Sequence, residues 1–238
     1  MSATVEVGGE VLSRAAGLEL SDYRTEHTAE RVRRAIAREG VRDVEGLARF
    51  LRADGAARAR FRSSVAVSVS GLFRDPAQFD LLERELLPPL LADGGRLSVW
   101  SAGCANGSEL YSVGILLERL GALGRSFLLG SDLLEENLAA AKRAVYGDAS
   151  ISDDLRARVR WEQSDLIRDG APPGTWHLIL CRNVAIYLAP AAKRALHETL
   201  AAALATGGVL LLGRSERLSD PVRLRLVRVA PHAYRKVA

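Results

Sequence analysis

From residue 80 to the end of the chain, short apolar runs alternate with amphipathic segments, and this alternation constrains the fold more than any other feature. The apolar runs read as strands over 96–101, 126–131, 158–163, 176–181 and 208–213. Helical spacing falls over 79–91, 109–120, 134–143 and 189–205. Strand–helix alternation predicts a parallel sheet with helices on both faces. Two last runs, over 224–229 and 233–237, are separated only by a short turn at Pro231. A connection that short joins only antiparallel strands. The expectation is therefore an α/β fold with a mostly parallel sheet ending in an antiparallel hairpin.

The first 70 or so residues read as helices instead. A segment over 21–39 carries Val32, Ala35 and Ile36 at helical spacing, with Gly40 as its stop. Asp43 caps a second helix through Leu51, with Gly55 after it, and a third runs over about 56–67. This divides the chain into a helical domain over 1–75, expected to dock a partner, and a second domain over 76–238. The helical block carries Arg31, Arg33, Arg34, Arg38, Arg42, Arg49, Arg52, Arg58, Arg60 and Arg62. Two readings stand: a solvated helix surface, or a docking face for an acidic partner.

The segment Val99-Trp100-Ser101-Ala102-Gly103-Cys104-Ala105-Asn106-Gly107-Ser108-Glu109 reads as strand, tight turn and helix. Glycines there let the backbone approach a ligand, and the helix N-terminus offers free N–H donors. Asp132 ends the next apolar run. An acid at the end of the second strand of such a unit commonly takes up ribose hydroxyls, so a nucleoside-containing cofactor is implied. Asp132 also reads as an N-cap for the helix beginning near Leu134.

Composition narrows the classes. With 48% apolar residues and only 5% aromatic, the core is built of Leu, Val and Ala. Of 33 cationic residues only Lys142, Lys193 and Lys236 are lysines, a bias that a GC-rich coding sequence explains without any functional argument. Cys104 and Cys181 lie among small and apolar residues, which suits a reducing cytoplasm rather than a disulfide framework. There is no basic-then-apolar leader and no apolar run near the roughly 20 residues that span a bilayer. His177 and His197 read as structural or exposed, and no metal site is expected.

Five segments together resemble the chemotaxis-receptor methyltransferase (CheR) family, whose members esterify glutamate side chains of chemoreceptors. They are Gly17-Leu18-Glu19-Leu20-Ser21-Asp22-Tyr23, Leu72-Phe73-Arg74-Asp75-Pro76-Ala77-Gln78-Phe79, the loop from Trp100 to Ser112, Cys181-Arg182-Asn183-Val184-Ala185-Ile186-Tyr187, and Gly213-Arg214-Ser215-Glu216. The resemblance covers the chain from about residue 10 to the end. Three departures stand out. The loop reads Gly107-Ser108-Glu109-Leu110-Tyr111 where the family usually has Gly-Glu-Glu-Pro-Tyr. Arg214 stands where the family usually has histidine. Only about twenty residues separate Tyr146 from Asp165, so the small β-subdomain that many members insert there is reduced or absent.

The resemblance implies a Rossmann-like class I methyltransferase with a seven-stranded sheet, S-adenosylmethionine as donor and S-adenosylhomocysteine as product. It implies donor binding by Ser68, Ser70, Arg74, Ala102, Gly103, Glu109, Asp132, Asp165, Leu166, Arg182 and Asn183. Arg74 and Tyr187 are the implied catalytic, acceptor-side groups. The partner implied is a chemoreceptor-like coiled-coil signalling protein docked on the arginine-rich helices, with the enzyme cytoplasmic and not membrane-embedded. Plainer roles exist for each residue. Glu109 suits the positive end of its own helix. Asp165 and Leu166 suit a strand-end turn, Arg182 and Asn183 loop capping, Arg74 a surface ion pair, Tyr187 half-buried packing, and Ser68 and Ser70 a solvated turn. Glutamate, with an ordinary pKa near ~4.3, is ionised at neutral pH and needs no general base. The lack of a catalytic His or Cys motif is therefore consistent with this reading. A different acceptor and a non-catalytic donor-binding module are the alternatives. Nucleic-acid methylation is not supported, since no motif for holding a flipped base is present.

Overall fold

Asp43 and Asp54 show how the first part of this chain becomes helical. In the computed structural model, which describes residues 2–67, 70–147 and 149–238, the Asp43 carboxylate accepts the Gly46 N–H at 2.7 Å and the Asp54 carboxylate accepts the Ala57 N–H at 2.9 Å. These caps start α3 (Val44–Ala53) and α4 (Gly55–Ala66). Each satisfies a backbone donor that the first turn leaves without a helical partner. Gly55 is thus the first residue of a helix, not the stop expected from the sequence; Asp54 both closes α3 and caps α4. Helices α1 (Ser2–Ala16) and α2 (Thr25–Glu39) precede them, and Gly40 ends α2 at φ +66°, where a side chain would be strained.

The chain divides into two compact units, one of residues 1–68 with 187–194, the other of 69–186 with 195–238. The first unit buries Leu12, Leu47, Leu51, Phe61 and Val65 completely or nearly so. Its segment 187–189 is tied to the stretch before and at the start of α2. The Arg24 N–H donates to Tyr187 O at 2.9 Å, the Ala189 N–H donates to Asp22 O at 2.8 Å, and Tyr23 pairs with Leu188 in an antiparallel bridge.

The second unit opens with α5 (Pro76–Leu81) and α6 (Leu87–Leu91), joined by a π-helical turn over Leu82–Leu86. The sequence suggested one helix over 79–91. Pro88 and Pro89 have no N–H to continue the ordinary ladder, and the Leu87 N–H reaches back five residues to Leu82 O. Strand and helix then alternate: β1 (Leu97–Ala102), α7 (Ser108–Arg119), β2 (Ser126–Asp132), α8 (Glu135–Arg143), α9 (Asp153–Arg158), β3 (Val159–Gln163), β4 (Trp176–Cys181), α10 (Pro190–Ala203), β5 (Leu204–Leu212), β6 (Leu226–Ala230) and β7 (Ala233–Lys236).

The strands form one sheet of seven in the order β3-β2-β1-β4-β5-β7-β6. Pairs among β1 to β5 are parallel, while β7 runs antiparallel to both β5 and β6. The expected fold class therefore holds. Only α9 and β3 occupy the described residues between Tyr146 and Asp165, so no inserted sheet stands there. β5 starts at Leu204 rather than 208, paired to Trp176 through an irregular stretch.

Leu97, Val99, Leu128, Leu178, Leu180, Val209 and Leu211 fill one side of the sheet against Leu110, Val113, Leu116 and Leu117 of α7. This burial fixes where α7 begins. Its first residues Ser108, Glu109, Leu110 and Tyr111 are all buried. Parallel strands send their C-terminal ends to one edge, where ligands bind in open α/β sheets. Gly103, Asp132, Ser164 and Arg182 all follow or end strands at that edge.

Candidate active site

The loop after β1 and the neighbouring strand β2 meet side chains at three close approaches. Gly103 has φ +74°, and a Cβ there would lie 2.6 Å from Val184 Cγ2. A Cβ on Gly107 would lie 2.5 Å from the Trp161 ring, and one on Gly130 2.4 Å from the same ring. Glycine is thus required because Trp161 of β3 and Val184 after β4 press on the backbone. The N–H groups of Gly103 and Cys104 both donate to Ser131 O at 2.9 Å. The Tyr146 hydroxyl donates to Asn106 O at the loop's far end.

Asp132 closes β2 with a nearly buried carboxylate. Oδ1 accepts the Leu134 N–H at 2.9 Å and Asn137 Nδ2 at 2.8 Å, and Oδ2 accepts the Ala105 N–H at 2.8 Å. Asp132 is not the N-cap expected from the sequence, since Leu134 holds that position and no side chain caps α8; the carboxylate instead braces the turn before α8 and fastens the glycine loop. Burial pushes its pKa above the ordinary range against those three hydrogen bonds.

Arg182, the residue after β4, has a side chain only 2% exposed. Nε donates to Gln78 Oε1 at 2.8 Å, Nη1 to Glu109 Oε2 at 3.2 Å, and Nη2 to Arg74 O at 2.6 Å and to Asp75 Oδ2 at 3.0 Å. Its cation also lies over the Phe79 ring, 5.1 Å from the centroid. Only a forked, always-charged guanidinium can meet four oxygens in this way. Glu109 completes its own set by accepting Ser101 Oγ at 2.7 Å. Burial raises the Glu109 pKa, opposed chiefly by the Arg182 charge.

Arg74 is exposed, on a turn whose neighbours Phe73 and Asp75 have φ +51° and +61°. Two left-handed residues flanking one side chain make a strained backbone that persists only where surroundings enforce it. Those surroundings are visible: Arg182 grips Arg74 O and Asp75, and the Phe73 N–H donates to Ser112 Oγ at 2.8 Å. Ser70 Oγ lies 2.6 Å from Ser108 Oγ, so the serine that departs from the family motif fastens the chain before Arg74 to α7. Arg214 Nη1 lies 3.6 Å from Asp75 Oδ1.

Other expected residues fall out as follows. Ala102 ends β1 and is fully buried. The Asp165 carboxylate accepts the Ile167 and Arg168 N–H groups of its own turn, the plain strand-end role, with Leu166 buried beside it. Asn183 sits at φ +62°. Tyr187 is half-buried in the first unit against His27. Ser68 lies outside the described residues. Burial pushes the thiols of Cys104 and Cys181 far above their usual range, which leaves them as small core residues.

Three residues escaped the sequence reading. Gln78 links Arg182 to the end of β5 by donating Nε2 to Leu212 O at 2.9 Å. Glu216 is fully buried, and its Oε2 accepts the N–H groups of Asn183 at 2.7 Å and Gly213 at 2.8 Å. It thereby ties the turns after β4 and β5 together. Trp161 sets the glycine requirement of the loop. Gln78 and Glu216 lay within motif segments whose remaining residues attracted attention; Trp161 had no signal of its own.

On the helical unit, part of the arginine charge is already paired. Arg33 and Arg34 pair with Glu30, while Arg38 and Arg60 pair with Glu39. Among the described residues no helix is long and apolar enough to cross a membrane.

A family model described as CheR methyltransferase, SAM binding domain, matches residues 68–153 and 147–231. A chemotaxis protein methyltransferase of Listeria innocua is 30% identical over 236 residues, covering 89% of this chain and 88% of its own. Chemotaxis protein methyltransferase 1 of Pseudomonas aeruginosa is 26% identical and covers 92% of each chain. Among solved structures, the SAM-bound amino pentose methyltransferase CalS10 of Micromonospora echinaspora is 22% identical with a TM-score of 0.43, covering 70% of this chain and 56% of its own.

Proposed function

The chain belongs to the CheR methyltransferase family, and from that premise we propose that it methylates glutamate carboxylates of a chemoreceptor-like signalling protein, releasing S-adenosylhomocysteine. The observation that carries this reading is the buried Arg182, which holds Glu109 on one side and the backbone of Arg74 on the other. S-adenosylmethionine supplies an electrophilic methyl group on a sulfonium.

The residues at the strand ends fit such a donor. Asp132 Oδ2 accepts one backbone N–H and keeps a lone pair for a ribose hydroxyl. Each Glu109 oxygen accepts one protein donor, which leaves capacity for the donor's ammonium group. Gly103, Ala102, Asn183, Leu166, Asp165, Ser68 and Ser70 are assigned to the donor by their positions in the family motifs.

Arg74 is assigned to the acceptor. Its fork can bind a glutamate carboxylate bidentately and orient one oxygen. Tyr187 is assigned one hydrogen bond to the acceptor. An ionised carboxylate needs no base, so the residues act by alignment, which can supply roughly 7–11 kcal/mol. Holding the ground-state carboxylate too tightly would slow attack, so orientation is the useful part.

The helical unit is assigned the docking of an acidic helix bundle in the cytoplasm. Residues 1–68 carry twelve arginines against ten acidic residues, a small net positive charge for steering. A second reading, the same chemistry on a different acceptor, draws on Ser108 and on the short segment between Tyr146 and Asp165.

The test is a purified receptor cytoplasmic fragment incubated with enzyme and donor, followed by peptide mass analysis. The proposal expects glutamate peptides heavier by one methylene. Donor turnover with every receptor glutamate unmodified would favour the second reading.

A further inference from the structure

We propose that His27 is a positioning residue for Tyr187, so that the helix carrying part of the arginine face also sets the acceptor-side phenol. This rests on the acceptor role given to Tyr187 above. Residue 187 is followed by a segment counted with the helical unit, not with the sheet. Its backbone is clamped at both ends of a three-residue stretch, by the Arg24 N–H on Tyr187 O and by Asp22 O on the Ala189 N–H. Between them, Tyr23 bridges Leu188. These bonds fix the main chain, and the Tyr187 ring packs against an imidazole.

His27, in the first turn of α2, makes that contact. Its ring centroid lies 5.0 Å from that of Tyr187, tilted by 39°, and 6.3 Å from that of Tyr23. Its Nε2 donates to Val65 O at 2.8 Å, near the end of α4. A carbonyl only accepts, so the imidazole carries a proton on Nε2 and is locked between two helices. A rigid ring of this kind limits the rotation of a neighbouring aromatic side chain, and a tyrosine hydroxyl sits far enough from Cα that a small rotation moves it by about an ångström. Misplacement on that scale costs up to roughly 100-fold in rate. Arg31, Arg34 and Arg38 lie farther along the same helix, the last two paired with Glu30 and Glu39.

The test uses the full chain in steady-state transfer, with donor affinity and melting temperature measured in parallel. His27→Ala should lower kcat about tenfold while leaving acceptor KM and donor affinity unchanged. His27→Phe keeps a ring against Tyr187 and should restore most of kcat, whereas His27→Gln keeps a donor for Val65 O and should not. In a Tyr187→Phe background, His27→Ala should cost nothing further. Wild-type kcat in both His27→Ala and His27→Gln would overturn the inference, as would an equal loss with or without the Tyr187 hydroxyl. If His27→Ala fails to fold, His27→Gln and His27→Phe carry the comparison. Full activity of Tyr187→Phe would instead remove the role of Tyr187 itself.

Discussion

Arg182 donates to the main-chain oxygen of Arg74 at 2.6 Å, so one buried guanidinium fixes the backbone that presents a second guanidinium to solvent. The same group neutralises buried Glu109. Arg182→Ala would strand that carboxylate in the interior, a change that costs about 3–5 kcal/mol. Urea unfolding should show a loss of this size. Arg182→Lys keeps the charge but cannot serve Gln78, Glu109 and Arg74 together, so kcat should fall even where stability is mostly retained. Unchanged stability in Arg182→Ala would contradict the network.

Arg74 and Asp132 should separate cleanly. Arg74→Ala is expected to leave S-adenosylhomocysteine affinity intact and to reduce transfer by about 100-fold. Arg74→Lys should recover little, since a point charge cannot orient a carboxylate bidentately. Calorimetry and a transfer assay on the same preparations decide the matter; full activity of Arg74→Ala would withdraw the acceptor-side assignment.

Acid should weaken donor binding earlier than free carboxyls would suggest. Burial raises the Asp132 pKa. In the proposed role a ribose hydroxyl donates to the ionised form, so affinity is complete above the raised pKa and is lost as pH falls through it. Titrating S-adenosylhomocysteine binding from neutral pH downward should show the decline beginning above the usual aspartate range. Asp132→Asn should bind weakly and without that step. A flat profile in the native protein, with circular dichroism showing it folded, would count against the ribose role.

Much of this was legible in the sequence, because the signals were local. The run 176–181 is observed as β4 with those same ends, since Thr175 and Arg182 bound a stretch that is apolar except for His177. Asp43 capped its helix as expected, and the short connection at Pro231 made its strands antiparallel. Misreadings arose where a competing local rule won. Gly55 looked like a stop, but the Asp54 cap turned it into a start. The helix over 79–91 is interrupted because paired prolines break its hydrogen-bond ladder. Helix α9 has only six residues, too short for periodicity to show. Non-local chemistry was hidden. The partners of Arg182 at 74, 75, 78 and 109 meet only once the sheet has formed, and nothing near Glu216 in sequence marks the Asn183 N–H that it accepts.

Gly130 and Trp161 offer a packing test that is independent of activity. A methyl group at 130 would enter the Trp161 ring. Gly130→Ala should therefore destabilise the protein by about 1–3 kcal/mol. Adding Trp161→Leu should make the alanine better tolerated, because the obstructing ring is gone. Equal penalties in both backgrounds would show that the ring is not the cause.

The central claim is carboxyl methylation of a signalling protein. Methyl-labelled S-adenosylmethionine, the purified enzyme and membranes bearing the cell's own receptors test it directly. The account predicts protein-bound label that mild base releases as methanol, and none with Arg74→Ala. Label that is stable to base, or donor binding with no labelled protein at all, would contradict it.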